Sequence, residues 1–285
     1  MSNNVVLVTG SSSFTGYYVI KELELHGYHV IKETVDLRDY NSVLSLVKTI
    51  KPDYVIHLAA ISFVAHEDIN NIYETNLLGT INLLKALVTA DLPMKKVILA
   101  SSANIYGNTT IQKISESQAA NPANHYGISK FAMEMAANQY KDKLPILITR
   151  PFNYTGVGQA ESFLIPKIIK HFQSEKTVIE LGNIDVYRDF SDVRDIAKWY
   201  VSSLNSDNSI THVNFCSGTL TSLEEIIAEL NNISGYEIDV QVNPNFVRKN
   251  EIKKLCGNNQ LLNSLVNVKS RIAFTDTLRW MYNEY

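Results

Sequence analysis

The residues Val5-Val6-Leu7-Val8-Thr9-Gly10-Ser11-Ser12-Ser13-Phe14-Thr15-Gly16 place a short apolar run directly before a turn that contains two glycines. The apolar run predicts a buried parallel strand, because a strand covered on both faces is hydrophobic at successive positions. A helical pattern follows from Tyr17 to His26, and Gly27 ends it. Strand, glycine turn and helix in this order predict the first unit of a parallel α/β sheet.

The turn between Gly10 and Gly16 also predicts a pyrophosphate site. Glycine has no Cβ to block the approach of an anion to the backbone, and the N-terminus of the following helix offers free N–H groups. Ser13 stands where the usual pattern has a glycine. On this motif alone, a glycine-capped turn without a ligand stays open as an alternative.

The remainder of the first 150 residues continues the alternation of strands and helices. Strands are predicted at His29–Ile31, Tyr54–Leu58, Lys96–Leu99 and Pro145–Thr149, and helices at Asn41–Ile50, Tyr73–Ala90 and Asn124–Tyr140. This order predicts a doubly wound parallel sheet, the Rossmann arrangement. We therefore expect a dinucleotide-binding domain over residues 1–150, with later sheet elements interleaved from 178–217, and a smaller α/β lobe that binds substrate over residues 151–285.

The end of the second strand is where dinucleotide-binding proteins hold the adenosine ribose. We expect Thr34 near the ribose, and the following pair Asp36-Leu37 at the adenine. No carboxylate is clearly positioned for the ribose hydroxyls, whereas Lys32 and Arg38 lie nearby in sequence. These two cations favour NADP(H) slightly over NAD(H).

A possible proton-transfer pair lies in His125-Tyr126-Gly127-Ile128-Ser129-Lys130. Tyr126 and Lys130 are four residues apart, so a helix would place both side chains on one face. An ammonium group beside a phenol favours the phenolate and is expected to lower the pKa of the tyrosine. The same spacing also occurs on solvated helix faces, so the pair by itself identifies no site.

Composition excludes several classes of function. The 285 residues are 45% hydrophobic and 19% charged, with a formal net charge of −3, so no basic excess indicates nucleic-acid binding. No apolar run approaches the roughly 20 residues that a membrane-spanning helix needs. The apolar run from Val5 to Val8 is too short for a signal peptide, and Cys216 and Cys256 fit no metal-ligand spacing, so we expect a cytoplasmic protein.

Seven segments, in order, resemble the extended short-chain dehydrogenases/reductases that act on nucleotide sugars. The segments are Thr9-Gly10…Gly16, His57-Leu58-Ala59-Ala60, Asn76-Leu77-Leu78-Gly79-Thr80, Ala100-Ser101-Ser102-Ala103-Asn104-Ile105-Tyr106-Gly107, Tyr126…Lys130, Arg150-Pro151-Phe152-Asn153 and Arg188-Asp189-Phe190. No single segment decides the family, but their number and order do. The resemblance covers nearly the whole chain.

The resemblance implies roles for individual residues. Tyr126 would be the general acid/base, Lys130 would bind the nicotinamide ribose, and Ser102 would hydrogen-bond the substrate oxygen that becomes carbonyl or alcohol. Residues implied to bind the cofactor are Gly10, Ser13, Phe14, Thr15, Gly16, Thr34, Asp36, Leu37, Leu58, Ala59, Ala60 and Asn76, together with Tyr126 and Lys130. Residues implied to bind a nucleotide-diphosphate sugar are Asn104, Asn153, Arg188, Arg248 and Glu251. The resemblance also implies a homodimer through the helices Tyr73–Ala90 and His125–Tyr140.

Asn104 separates the branches of this family. The 4,6-dehydratases carry an acidic residue at this position, and the fucose-synthase branch carries a cysteine with a later histidine; the segment Ser162–Pro166 here has no histidine. A 4-ketoreductase and a 4-epimerase with tightly bound NAD remain. The stretches 150–159 and 180–190 resemble the GDP-4-keto-6-deoxy-D-mannose reductase branch, with dTDP-4-keto-6-deoxyhexose reductases close to it. A catalytically silent dinucleotide sensor is a third alternative, which Ser13 alone supports. The nucleotide base and the product stereochemistry stay open.

Overall fold

The computed structural model describes residues 4–33, 35–62, 68–247, 252–266 and 271–284. Among these residues the strands are β1 Val5–Thr9, β2 His29–Ile31, β3 Tyr54–His57, β4 Lys96–Ala100, β5 Ile146–Pro151, β6 Asn153–Thr155, β7 Val178–Leu181, β8 Tyr187–Asp192, β9 His212–Phe215, β10 Leu220–Ser222, β11 Asp239–Val242 and β12 Lys254–Leu255. The α-helices are α1 Phe14–Leu25, α2 Tyr40–Ile50, α3 Ile69–Tyr73, α4 Gly79–Thr89, α5 His125–Ala137, α6 Leu164–Gln173, α7 Val193–Ser203, α8 Leu223–Ser234, α9 Gln260–Leu265 and α10 Phe274–Glu284.

Six strands form one parallel sheet in the order β2-β1-β3-β4-β5-β9. The predicted doubly wound parallel sheet is therefore confirmed. The chain leaves β1 towards β2 on one side and returns to β3 on the other, so a crevice opens at the carboxyl ends of β1 and β3. This edge of the sheet is where an α/β fold binds its ligands.

Each face of this sheet is covered by its own helices. On one face, α1 and α7 bury a cluster that includes Val19, Leu23, Trp199 and Tyr200. On the other face, α2, α4 and α5 bury a second cluster that includes Val47, Leu84 and Met133. Residues buried on both faces explain why the strands read as continuous apolar runs in the sequence.

The second half of the chain builds smaller sheets around a separate apolar cluster. The strand β8 pairs with β6, β10 and β12, and β7 pairs with β11. Helices α6, α8 and α10 pack their apolar residues into this third cluster. Of the later strands that were expected to interleave with the large sheet, β9 joins it, whereas β7 and β8 do not. β7 pairs with β11 instead, and β8 pairs with β6, β10 and β12.

Asp189 joins three separate segments of the second half. Its buried carboxylate accepts hydrogen bonds from the backbone N–H groups of Ser217 (2.8 Å), Gly218 (2.9 Å) and Gly257 (3.2 Å). These bonds fix the strand that carries Arg188 against two neighbouring loops.

No helix in the described part of the chain is long and apolar enough to cross a membrane.

Candidate active site

The glycine turn has the geometry that a pyrophosphate requires. Gly10 has a φ of +72°, and a Cβ there would lie 2.7 Å from the backbone nitrogen of Ala59. A Cβ on Gly16 would collide with the carbonyl oxygen of Gly10. Only glycine fits at either position, so the backbone of the turn stays bare and the N-terminus of α1 remains accessible to an anion.

Ser13 has a structural reason to replace the usual glycine. It is the N-cap residue of α1, and its Oγ accepts a hydrogen bond of 3.0 Å from the backbone N–H of Gly16. Serine is among the best N-cap residues because its hydroxyl satisfies an N–H group that the helix leaves free. The substitution therefore stabilises the turn, and it does not support a silent sensor.

An apolar pocket of about 180 Å³ lies beside the turn, at the end of β2. Leu37 and Ala59, both predicted cofactor residues, line it together with Gly10, Glu33 and Val35. Its size and position suit the adenine end of a dinucleotide. Asp36, predicted at the adenine, does not line this pocket; its carboxylate accepts a hydrogen bond of 2.7 Å from the Arg38 guanidinium. Thr34, expected at the ribose, lies outside the described residues.

A larger cleft of about 1130 Å³ collects most of the other predicted site residues. It lies between the carboxyl edge of the large sheet and the second half of the chain. Its walls include Ser13, Phe14, Thr15, Leu58, Ala60, Ser102, Asn104, Tyr126, Lys130, Asn153 and Arg188. The cleft has room for a nucleotide and a sugar as well as the reacting end of a dinucleotide.

Ser102 and Tyr126 face each other across the start of two helices. Ser102 is the N-cap of a short 3₁₀ helix over Ala103–Tyr106, and Tyr126 is the second residue of α5. Gly127 permits this approach, because a Cβ there would lie 2.7 Å from the carbonyl oxygen of Asn104. A hydrogen bond joins the Ser102 and Tyr126 side chains.

Burial dominates the acidity of Tyr126. Removal from water raises the pKa of its phenol well above the ordinary value, and the nearby Tyr154 raises it further, whereas the hydrogen bond from Ser102 lowers it. The sequence led us to expect that Lys130 lowers this pKa, and that expectation is not met. The protein therefore holds Tyr126 as a protonated phenol at neutral pH, which is the form that can deliver a proton.

Lys130 lies one turn further along α5, buried at the base of the cleft. Its ammonium Nζ donates to the carbonyl oxygen of Ala100, at the end of β4, over 2.7 Å. Burial lowers the pKa of Lys130 to about 8, and the carboxylate of Glu134 opposes that shift. Lys130 is therefore engaged with the sheet as well as placed beside the cleft.

Asn76 forms buried hydrogen bonds to two segments next to the site. Its buried amide accepts from the backbone N–H of Ile61 (2.8 Å) and donates to the carbonyl of Ile61 and to the hydroxyl of Ser129, both over 3.1 Å. Asn76 does not line either pocket. It connects the loop after β3 to α5, so we now expect it to act on the cofactor site through these two segments rather than by contact.

The predicted substrate residues are only partly described. Asn153 in β6 and Arg188 in β8 line the cleft, and the Arg188 Nη1 donates to the carbonyl oxygen of Tyr187 over 3.0 Å. Arg248 and Glu251 lie outside the described residues.

Among the described residues no cluster of histidine, cysteine or acidic side chains could hold a metal ion. His57 is buried between Thr9 and Thr80, and burial lowers its pKa to about 3.

Two cleft residues were missed from the sequence. Tyr154 contacts the glycine turn through a hydrogen bond of 2.7 Å between its Oη and the Thr15 Oγ1. Tyr200 lines the cleft from α7, with its hydroxyl 3.2 Å from the Thr149 Oγ1. Tyr154 follows directly after the Arg150–Asn153 motif, which could have identified it, whereas no motif surrounds Tyr200.

Comparison with known proteins assigns the family. Residues 32–281 match the family described as GDP-mannose 4,6 dehydratase. The chain is 37% identical over 272 residues to a GDP-6-deoxy-D-talose 4-dehydrogenase of Aggregatibacter actinomycetemcomitans, covering 92% of this chain and 91% of that protein. This chain belongs to the GDP-mannose 4,6-dehydratase family of extended short-chain dehydrogenases/reductases. The predicted family is thus confirmed.

Two further comparisons lie within the same family. A GDP-6-deoxy-D-mannose reductase of Pseudomonas aeruginosa is 30% identical over 297 residues, which cover 98% of this chain and 96% of that protein. The solved structure of RMD from Pseudomonas aeruginosa, complexed with NADPH, superimposes with a TM-score of 0.88 at 29% identity and covers 99% of this chain and 97% of that one. The family identifies the chain as an NAD(P)-binding oxidoreductase of nucleotide sugars, and the bare glycine turn with its two pockets fits that cofactor.

Proposed function

We propose that this chain reduces the 4-keto group of a nucleotide-linked 4-keto-6-deoxyhexose with NAD(P)H, a step of deoxysugar biosynthesis. The observation that carries the proposal is the convergence of Ser102, Tyr126 and Lys130 on one cleft, next to a glycine turn that fits a dinucleotide. We assign these three residues the catalytic roles. The fold alone would not support an activity. A proton donor, Tyr126, and a hydroxyl donor, Ser102, that lie in the same cleft do support one.

The residues divide the chemistry between them. Bound NAD(P)H supplies the hydride that reduces the keto carbon. Negative charge then develops on the keto oxygen, and the Ser102 hydroxyl donates a hydrogen bond to it. Tyr126, which burial keeps protonated, delivers the proton that completes the alcohol. Lys130, whose ammonium is held at the Ala100 carbonyl beside the cleft, is assigned to the nicotinamide ribose, the role that the family resemblance implies for it.

Asn104 argues against the two neighbouring reactions. In this family the elimination of water uses an acid at this position, and the 3,5-epimerisation of the fucose-synthase branch uses a thiol there; a neutral amide can serve as neither. A 4-epimerase stays as the second candidate because it needs only Ser102, Tyr126 and Lys130. The names of the two curated relatives favour the reductase, since one is a reductase and the other a 4-dehydrogenase.

The same names support a GDP-linked sugar. Both relatives are named for a GDP-6-deoxyhexose, and talose and mannose differ only in configuration at C4. A common 4-keto compound would therefore give either product, depending on the face that receives the hydride. Asn153 and Arg188 are the described residues that we assign to this substrate, since a guanidinium pairs with phosphate oxygens. Arg248 and Glu251 remain predicted partners from the sequence.

The choice between NADP(H) and NAD(H) is a separate part of the proposal. The expected preference for NADP(H) depended on Lys32 and Arg38. Lys32 pairs with Glu24 (2.7 Å), and Arg38 pairs with Asp36 (2.7 Å), so neither charge is free for a phosphate. Glu33 lines the adenine pocket, and the described residues offer its carboxylate no partner. A free carboxylate there favours the ribose hydroxyls of NAD(H) and repels a 2′-phosphate, so we propose NAD(H) for this chain.

Fluorescence titration with NADH and NADPH tests that preference without any turnover. We expect wild-type protein to bind NADH more tightly, and Glu33→Ala to bind NADPH at least roughly tenfold more tightly than wild type does, since one lost repulsion is worth about 1.4 kcal/mol. The exposed Glu237→Ala serves as the control that leaves both affinities unchanged. Tighter binding of NADPH by the wild type would restore the original expectation.

We also propose a homodimer through the two helices that the sequence indicated. Leu78, just before α4, and Ile128 and Met135 on α5 are all exposed, and Leu78 and Met135 each keep about half of their surface accessible. Exposed apolar residues on neighbouring helices favour association. Sedimentation should show a dimer for the wild type and a shift to monomer for Met135→Glu. A wild-type monomer at micromolar concentration would remove this part of the proposal.

Reduction itself is tested by the loss of nicotinamide absorbance when the protein meets GDP-4-keto-6-deoxymannose and NADH or NADPH. We expect one reduced cofactor to be consumed for each alcohol formed, and proton NMR of the product to report the configuration at C4. An epimerase would interconvert two sugar nucleotides without added reductant. A silent sensor would bind the cofactor and turn over neither set of substrates.

A further inference from the structure

We propose that Asn104 is a positioning residue that makes Ser102 an obligatory hydrogen-bond donor. Its side-chain amide and its own backbone N–H together occupy both acceptor positions on the Ser102 hydroxyl oxygen. The hydroxyl proton is then directed to the reacting side of the cleft. This inference rests on the proposed reduction and replaces the sequence-based expectation that Asn104 binds the substrate.

Two contacts in the structure carry the inference. The Asn104 Nδ2 lies 3.1 Å from the Ser102 Oγ, and the Asn104 backbone nitrogen lies 3.2 Å from the same atom. A hydroxyl oxygen has two lone pairs and one proton. With both lone pairs engaged by the same residue, the proton is the remaining hydrogen-bonding group of Ser102.

The direction of that proton matters for the chemistry. A Ser102 hydroxyl that donates to the Tyr126 phenol oxygen lowers the pKa of Tyr126, which is the direction of the Ser102 effect on that phenol. If the Ser102 oxygen could accept a hydrogen bond from Tyr126, the Tyr126 hydroxyl would donate its proton to Ser102 rather than to the substrate. A locked donor leaves the Tyr126 proton free for the substrate and adds a second donor to the developing oxyanion.

The surrounding structure holds Asn104 in place. It lies inside the 3₁₀ helix Ala103–Tyr106, and the N-terminal turn of α5 packs directly on its carbonyl oxygen at Gly127. Tyr106, at the end of the same short helix, is buried and donates to the Asn214 Oδ1 over 2.7 Å. The amide of Asn104 therefore starts from an anchored backbone, as a positioning group must.

The opposite orientation of the amide makes a different prediction. If the Asn104 oxygen faced Ser102, the hydroxyl would donate to it, and the proton would point away from the reaction. Asn104→Asp has nearly the same shape but offers only acceptors to Ser102. The aspartate variant thus imposes the unproductive arrangement, while Asn104→Ala only removes the side-chain donor.

Steady-state kinetics on the full-length protein provide the first test. We expect kcat to fall roughly 100-fold in Asn104→Asp, at the lower end of the range seen when an oxyanion donor is lost, and only roughly tenfold in Asn104→Ala, which keeps the backbone N–H bond to Ser102. KM should change less than about threefold. The matched control is Asn108→Asp, the same substitution at an exposed position four residues away. A normal kcat in Asn104→Asp, or a change confined to KM, would overturn the proposal.

A double-mutant cycle asks whether Asn104 acts through Ser102. We expect Asn104→Asp to reduce kcat by less than about twofold when it is added to Ser102→Ala, because non-additivity marks residues that work as one unit. A residue that touched the sugar directly would keep its full effect in that background. Full additivity is therefore the second outcome that contradicts the inference.

NMR of the side-chain amides supplies a readout that needs no turnover. The Asn104 NH₂ resonances are assigned by their absence in Asn104→Asp, and we expect the bonded proton to shift upfield in Ser102→Ala. An unchanged shift would contradict the contact even in a protein that proves inactive. Inactivity of the wild type with every 4-keto sugar tested, together with the expected amide shift, would refute the proposed reduction and leave the Ser102–Asn104 arrangement supported.

Discussion

Glu134 and Arg150 form a buried ion pair through two parallel hydrogen bonds, with Nε 3.0 Å from Oε1 and Nη2 2.7 Å from Oε2. Glu134 lies on α5 one turn after Lys130, and Arg150 lies in β5. Arg150 also donates to the Tyr106 hydroxyl over 3.0 Å. The pair thus connects the helix that carries Tyr126 to the strand and the short helix behind Ser102.

Breaking this pair should destabilise the whole protein. Glu134→Gln leaves the Arg150 guanidinium buried without a counter-charge, and we expect a loss of about 3 kcal/mol in the free energy of unfolding. Urea unfolding at neutral pH measures the loss. Lys253→Gln, which breaks an ion pair with Asp185 whose two side chains are both exposed, should cost less than about 1 kcal/mol. Equal effects of the two substitutions would contradict the importance assigned to burial.

Stability should depend on pH through Lys130. Its pKa is lowered to about 8 in the folded protein from 10.5, so between these values the unfolded chain binds more protons than the native chain. Stability therefore rises with pH across that window, by up to about 3 kcal/mol relative to a variant without the amine. We expect wild type to gain on Lys130→Met in urea unfolding between pH 7 and pH 10. Parallel pH dependences would show that burial does not shift this amine.

Removal of the Tyr126 hydroxyl should separate catalysis from binding. We expect Tyr126→Phe to reduce the rate of 4-keto reduction by roughly 100-fold or more, because the proton donor is lost. Dinucleotide affinity, measured by fluorescence titration, should stay within about threefold of the wild type. Tyr17→Phe, at an exposed position on α1, is the matched control. Normal turnover in Tyr126→Phe would refute the assigned acid.

Added bulk in the glycine turn should abolish dinucleotide binding. A Cβ on Gly16 collides with the Gly10 carbonyl, so Gly16→Ala must displace the turn and the start of α1. Isothermal titration should show no binding at concentrations that saturate the wild type. Gly27→Ala is the control: its Cβ meets no atom within 4 Å, and its positive φ costs about 1 kcal/mol of stability without affecting the cofactor.

Much of the fold was predictable because its signals are local. Alternating apolar runs and helical patterns predicted five strands of the parallel sheet, and the sixth, β9, falls in the stretch 178–217 that was expected to supply later sheet elements. The short strands β6, β10 and β12 were not predicted. Each has two or three residues and pairs only with distant partners, so no periodicity could mark it.

The site was predictable to the same extent. Ser102, Tyr126 and Lys130 stand in short motifs, and the structure brings them to one cleft. The direction of the shift in the Tyr126 pKa was not predictable, because it is set mainly by burial of the phenol, which the sequence does not show. The ion pair between Lys32 and Glu24 was equally unpredictable, because the partner of a surface cation depends on which acidic side chain the fold brings near it and not on position along the chain.

The sequence by itself determined the order of strands and helices, the bare glycine turn and the three residue types of the proposed catalytic set, because each depends on neighbours a few positions away. Tertiary structure decided how those groups behave. It buried the Tyr126 phenol, lowered the pKa of Lys130 and set the Asn104 amide 3.1 Å from the Ser102 oxygen. Burial and hydrogen-bond direction are properties of packed elements, so they exist only once distant parts of the chain meet.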